Sequence, residues 1–249
     1  LPPDRLRPAT SKPEIDVPIH ENQLLASLPK TDRLRLLALS VPVHLALSQV
    51  LCEVGQTTRH VYFPTDSFVS LIAQLDAHHG LEVGMAGDEG MLGWQFALGV
   101  AREPVKALVQ GAGAAWRVDA RAFRRELARS PPLQRRLQRY VSVLMDQRAT
   151  AAACLRFHEI GPRLSRWLLM SQDRAHADHF PVTQQSLSAM LGVRRVGVTA
   201  AAGGLQRLGL IEYHRGQLTV LNRPGLEAAS CSCYAADQKT YALTMNTRH

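Results

Sequence analysis

Arg194 and Arg195 stand side by side, two residues past Gly192, with Thr199 one helical turn further on. A guanidinium is a planar fork of donors, matched to a phosphate or to the O6/N7 edge of guanine. The flanking residues give that chemistry a scaffold. Thr183 can cap a helix, and Leu187 and Leu191 lie four apart on one face of it. Gly192 can end the helix in a left-handed turn, and Val193 can plug that turn into a core. Val198 and Ala201 then form the buried face of a second helix. Two short helices joined by a glycine turn make a helix-turn-helix. Its second helix offers Arg194, Arg195, Val196, Gly197 and Thr199 at the end that enters a major groove. Thr183, Gln184 and Gln185 open the first helix on the same DNA-facing side. Gly197 is expected to keep the backbone close to DNA, and Thr199 to meet a phosphate or a thymine methyl. Gly203 and Gly204 each cost about 1 kcal/mol in a helix interior, so the pair implies close helix packing. After the helix, residues 210–221 read as a hairpin turning near Arg215-Gly216. That hairpin is a wing, with His214 and Arg215 at its tip, facing phosphates or simply solvated.

Other reactive residue types do not form recognisable constellations. The four cysteines, Cys52, Cys154, Cys231 and Cys233, make no pair of CxxC clips. Cys231-Ser-Cys233 is shorter than a conventional clip, so the thiols read as free and no metal or cofactor is expected. His78-His79 reads as a loop, and His176, Asp178 and His179 as a polar connection. No GxSxG, HExxH or phosphate-binding glycine loop is present, so an enzyme is not expected.

The elements around these residues follow from pattern. The chain has 249 residues, enough for one or two domains with a real core. Residues 1–20 read as a disordered arm and 21–38 as a short helical pair with Thr31-Asp32 at a cap. From 41 to 118, short β-rich runs (60–63, 68–72, 81–83, 107–109) alternate with turn signals, the pattern of a sandwich, barrel or jelly roll. Asp119 caps a helix to about 128, and a long helix covers 133–156. On it Leu137, Val141, Leu144, Arg148, Ala151 and Leu155 form a heptad-like stripe, read as a dimer seam over the alternative of packing on its own domain. Residues 233–249 read as a polar tail. Net charge is +8, unevenly spread: 41–116 hold three Arg and Lys against seven acids, and 157–225 hold eight Arg against four. A basic C-terminal block suits a polyanionic partner. No apolar run reaches membrane length, and no secretory leader is visible, so a cytoplasmic location is expected.

Over 21–233 the sequence resembles the Crp/Fnr superfamily of bacterial transcription regulators. The matching pieces are residues 61–64 with 69–71, 87–93, the long helix, 163–169, and the helix-turn-helix with Gly192-Val193-Arg194-Arg195. The resemblance implies an α+β chain: an N-terminal cyclic-nucleotide-binding-like jelly roll (21–132), a dimerisation helix (133–156) and a C-terminal winged helix-turn-helix (157–232). It implies two recognition helices reading a palindrome about one DNA turn apart, with Arg195 matching the guanine-contacting arginine. Members that bind cyclic nucleotides carry Gly-Glu and then Arg-Ser or Arg-Thr. Here Gly93 is followed by Trp94, and Arg102 and Lys106 are the nearby cations, so cyclic AMP binding in the usual way is not expected. Gly93, Trp94, Arg102 and Lys106 outline a candidate effector pocket, with Trp94 alternatively filling the core. The reading is a dimeric regulator of double-stranded DNA, with RNA polymerase and a small-molecule effector as candidate partners. The alternative is a small-molecule sensor whose winged helix binds protein instead.

Overall fold

A computed structural model describes residues 21–76 and 80–246. The arm at 1–20 and His78-His79 lie outside the described residues. Two short helices open the described chain, α1 (Gln23–Ala26) and α2 (Lys30–Ala38). Asn22, fully buried, caps α1 through its side-chain oxygen and donates from Nδ2 to the Pro64 and Gly90 carbonyls, both at 2.9 Å. One amide therefore satisfies a helix end, the carbonyl at the end of a strand and a loop carbonyl of the β domain. α2 is entered through Pro29 rather than capped at Thr31-Asp32, and Asp32 instead sits in its first turn.

The N-terminal β domain pairs two antiparallel sheets, ordered β1-β7-β3 and β2-β6-β4-β5. Its strands are β1 (Ser40–Leu45), β2 (Val50–Cys52), β3 (His60–Pro64), β4 (Phe68–Gln74), β5 (Gly80–Ala86), β6 (Lys106–Gly111) and β7 (Gly113–Asp119). β3 to β6 contain the four β-rich runs read from the sequence. They place Val61, Phe63, Val69, Leu71, Ala107 and Val109 inside. β1, β2 and β7 carry little alternation. β1 tolerates Pro42 because it is an edge strand.

Asp119 accepts from the Arg121 and Ala122 backbone N–H groups and starts α3 (Ala120–Arg129) as expected. Ser130 then caps α4 (Pro131–Phe157), with proline in its first turn, where no donor is lost. The seam reading fails over the first half of this helix. Leu137, Val141 and Leu144 are buried within their own chain, and Leu137 and Leu144 pack with Phe63, Phe96 and Phe123. A side chain already buried in this way has no surface to offer a partner.

The C-terminal block holds α5 (Ile160–Ala175), β8 (His179–Pro181), α6 (Gln184–Leu191), α7 (Arg195–Arg207), β9 (Ile211–His214), β10 (Gln217–Val220) and α8 (Arg223–Ala229). β8 adds a third strand to the wing sheet, in the order β8-β10-β9. Its core is continuous with the β domain, since Phe68 and Met85 pack with Trp167, Phe180 and Leu187. The polar-tail reading is corrected as well: Cys233–Met245 is a helix, α9, lying against α4. Met245 is buried in the N-terminal core, Tyr241 Oη donates to the Glu89 carbonyl at 2.7 Å, and Asp237 pairs with Arg166 at 2.6 Å. The apolar residues of α9 do not line up on one helical face, so the helix is stabilised by contacts that exist only in the folded chain.

Candidate nucleic-acid interface

Local chemistry positions the helix-turn-helix. Thr183 caps α6, its Oγ1 accepting from the Ser186 N–H at 3.0 Å. Gly192 ends α6 at φ 63°, a left-handed conformation that costs glycine little. A Cβ there would lie 2.7 Å from Leu81 of the β domain, so the turn is held close to β5 as well as being tight. Leu187, Met190, Leu191, Val198, Ala202 and Leu205 close the core between the two helices. Arg163 of α5 donates to the Leu191 carbonyl and satisfies an orphan acceptor at the end of α6.

The reading face follows from that packing. Arg194 is the N-cap residue of α7, and Arg194, Arg195, Val196 and Thr199 are all exposed, Val196 at 73%. Gln184 links the two helices across this face. Its Oε1 accepts from Arg195 Nε at 3.3 Å and from Thr199 Oγ1 at 3.0 Å. The glutamine therefore orients one guanidinium and one hydroxyl before any ligand arrives. Gln185 is exposed beside it. At the wing, Arg215 and Gly216 both take positive φ (48° and 80°), as a tight two-residue hairpin turn requires. His214 and Arg215 are exposed at its tip, and Tyr213 Oη, donating to the Val182 carbonyl at 2.9 Å, ties the wing to the segment before α6.

Three glycine readings change. A Cβ on Gly197 would come within 2.8 Å of Ile160 Cδ1, so this glycine also lets α7 lie close against the start of α5 within the chain. Gly203 and Gly204 are not at a close helix crossing. A Cβ on either would make ordinary contact with the flexible Arg207 side chain, at 3.5 and 3.9 Å.

The four residues of the candidate effector pocket do not converge. Lys106 pairs with Glu53 at 3.1 Å, and Arg102 donates to the Gly55 carbonyl at 3.1 Å. Gly93 holds φ 89° against Val61. Trp94, half-buried, carries the Arg148 guanidinium over its ring at 4.8 Å from the centroid. Arg148 is thus a stacking partner inside the chain. A cavity of about 400 Å³ opens beside β2 and β3. It is lined by Cys52, Thr58, His60, Tyr62 and Glu103 among others, and by none of the four. Burial pushes the Cys52 thiol up to about 12, so it is a poor nucleophile there.

A constellation absent from the sequence reading lies at the far end of α4. Cys154, His158, Cys231 and Cys233 bring their ligand atoms within 4.8 Å of one another. The i, i+4 spacing of Cys154 and His158 on one helix was the available signal; their partners are more than seventy residues away.

No helix among the described residues is long and apolar enough to cross a membrane. Comparison with protein families matches residues 162–229 to the Crp-like helix-turn-helix domain. Comparison with curated proteins gives no match. Solved structures share the fold. The c-di-GMP-responsive global regulator CLP of Xanthomonas campestris is 17% identical, with 77% of this chain and 99% of that one covered and a TM-score of 0.63. FixK2 of Bradyrhizobium japonicum is 13% identical, with 77% and 98% covered and a TM-score of 0.63. A CRP-family transcriptional regulator of Thermus thermophilus is 18% identical, with 76% and 96% covered and a TM-score of 0.61.

Proposed function

Since residues 162–229 are a Crp-like helix-turn-helix domain in a chain with the Crp/Fnr fold, we propose that the protein is a dimeric, sequence-specific DNA-binding transcription regulator. The observation that carries this reading is the exposed first turn of α7, where Gln184 orients Arg195 and Thr199 on one solvent-facing surface. Arg195 reads a guanine edge and Arg194 meets a phosphate or a neighbouring base. Thr183, Gln185, His214 and Arg215 fix the domain on the backbone. The protein-binding alternative gains little from this face, which exposes two guanidiniums, a hydroxyl and the single valine Val196 rather than an apolar patch.

Dimerisation uses the face of α4 that its own core leaves open. Met145 is 66% exposed, and Ala149 and Ala152 follow it at spacings of four and three on the same side, with exposed Leu155 nearby. Small residues at this spacing let two helices approach closely. The β domain is a scaffold, or senses a ligand through groups other than Arg102 and Lys106, both of which are engaged elsewhere.

Selection of bound duplexes from a random pool at physiological salt tests the reading. A two-half-site palindrome is expected. Arg195→Ala should cost about 1–3 kcal/mol and relax the preference at one position of each half-site. Binding that neither weakens with salt nor selects a sequence would overturn the reading.

A further inference from the structure

We propose that Cys154, His158, Cys231 and Cys233 form a tetrahedral Cys₃His site for a single zinc-type divalent ion, clamping α9 to the junction between α4 and the DNA-binding domain. All four ligand atoms lie within 4.8 Å of one another, close enough to share one ion. In a zinc site with bonds of about 2.3 Å to sulfur and 2.0–2.1 Å to nitrogen, tetrahedral angles set sulfur–sulfur edges near ~3.8 Å and sulfur–nitrogen edges near ~3.6 Å. Here Cys154 Sγ lies 3.6 Å from Cys231 Sγ, and Cys233 Sγ lies 3.5 Å from His158 Nδ1. An iron–sulfur cluster places several iron and sulfide atoms between its thiolates and would hold them further apart.

The surroundings suit the charge and the chemistry. Cys154, Cys231 and Cys233 are each less than 10% exposed and form a small cluster of their own. Three thiolates, a neutral imidazole and a divalent ion leave one net negative charge. Arg166 lies near the Cys154 and Cys231 sulfurs but is also paired with Asp237, so the surplus positive charge at the site comes from Arg163, which lines the same cavity as Cys154. Cations near a thiolate centre stabilise its charge. The Cys231 N–H donates to the Pro162 carbonyl at 3.3 Å, which fixes the loop between α8 and α9 against the start of α5. All four ligand positions are filled by protein, the arrangement of a structural rather than a catalytic zinc.

The placement gives the ion a task. Cys154 is in the last turn of α4, and His158 is its C-cap residue, two residues before α5 begins. Cys231 and Cys233 flank the start of α9, which runs back along α4. An ion here cross-links the exit from the proposed dimer helix to a helix that returns to the N-terminal core, and so fixes the direction in which the DNA-binding domain leaves α4.

The test uses the full chain purified with reductant and without chelator. Elemental analysis should find one zinc per chain, retained by Cys52→Ser and lost from Cys233→Ser. Cobalt(II) added to stripped, reduced wild-type protein should give the thiolate charge-transfer and intense d–d bands of a tetrahedral Cys₃His centre. Metal removal should lower the thermal midpoint of the wild type and leave that of His158→Ala unmoved. Folded, reduced protein that takes up neither metal, or that yields the absorbance of an iron–sulfur cluster, would overturn the assignment. So would a Cys154–Cys231 disulfide as the sole product under metal-replete conditions. These outcomes are independent of DNA binding, so failure here leaves the regulatory reading standing.

Discussion

At the scale of the residue, environment decides what a side chain can do, and Glu82 shows it most clearly. It projects from β5 beside Trp167 and accepts from Ser70 Oγ at 2.5 Å. Burial favours its neutral form and raises its pKa from 4.5 to about 7. The folded chain therefore holds a proton that the unfolded chain gives up between those two values. The stability that Glu82 contributes is complete below pH 4.5 and is lost as pH rises towards 7. Glu82→Gln, which keeps the shape without the charge, should flatten this decline. Chemical denaturation of both proteins across the interval measures it, and parallel curves would refute the assignment. Because Glu82 lies where the β sheet meets α5, its ionisation weighs on the contact between sensor-like and DNA-binding blocks. Gln184 makes the converse point. Named in the sequence only as part of a DNA-facing helix start, it holds both Arg195 and Thr199 in the structure.

At the scale of the element, α4 and α7 each carry a testable consequence. The side of α4 that faces its own core is occupied by Leu137, Val141 and Leu144, so a seam needs the other side. Met145→Arg puts a charge on that open face and should shift the protein from dimer to monomer in light scattering while leaving its circular dichroism unchanged. A dimer that survives would move the interface elsewhere. In α7, Gly204 has room for a methyl group, and nothing in its surroundings opposes one. Gly204→Ala should stabilise the chain by about 0.5–1 kcal/mol, or roughly 2–4 °C in midpoint for a chain of this size. Gly197→Ala is the contrasting substitution, because its methyl would force the Ile160 side chain to shift and should gain less than Gly204→Ala. An equal gain from Gly197→Ala would contradict the packing.

At the scale of the whole molecule, two blocks of opposite charge are joined by a shared hydrophobic cluster. Phe68 and Met85 of the β domain pack with α5 and α6, and Gly192 of the helix-turn-helix comes up against Leu81. The boundary near residue 157 is therefore a change of architecture rather than a gap in packing. The sequence by itself determined what local rules govern. Asp119 and Thr183 are short polar caps, Gly192 and Gly216 take left-handed turns, and Leu187, Leu191 and Val198 face one way by helical period. These made the helix-turn-helix, the wing, the long helix and the inner strands legible, and with them the exposed arginines at the start of α7. Tertiary structure alone decided the rest. Which face of α4 stays open depends on Phe63 and Phe123 arriving from elsewhere. The helicity of 233–245 depends on α4 being there to receive it, since its own pattern is weak. The separation of Gly93, Trp94, Arg102 and Lys106 depends on Glu53 claiming Lys106, Arg148 claiming Trp94 and the Gly55 carbonyl claiming Arg102. Cys154 and His158 meet Cys231 and Cys233 only because α9 folds back onto the end of α4, and a contact across more than seventy residues leaves no periodicity in the chain that makes it.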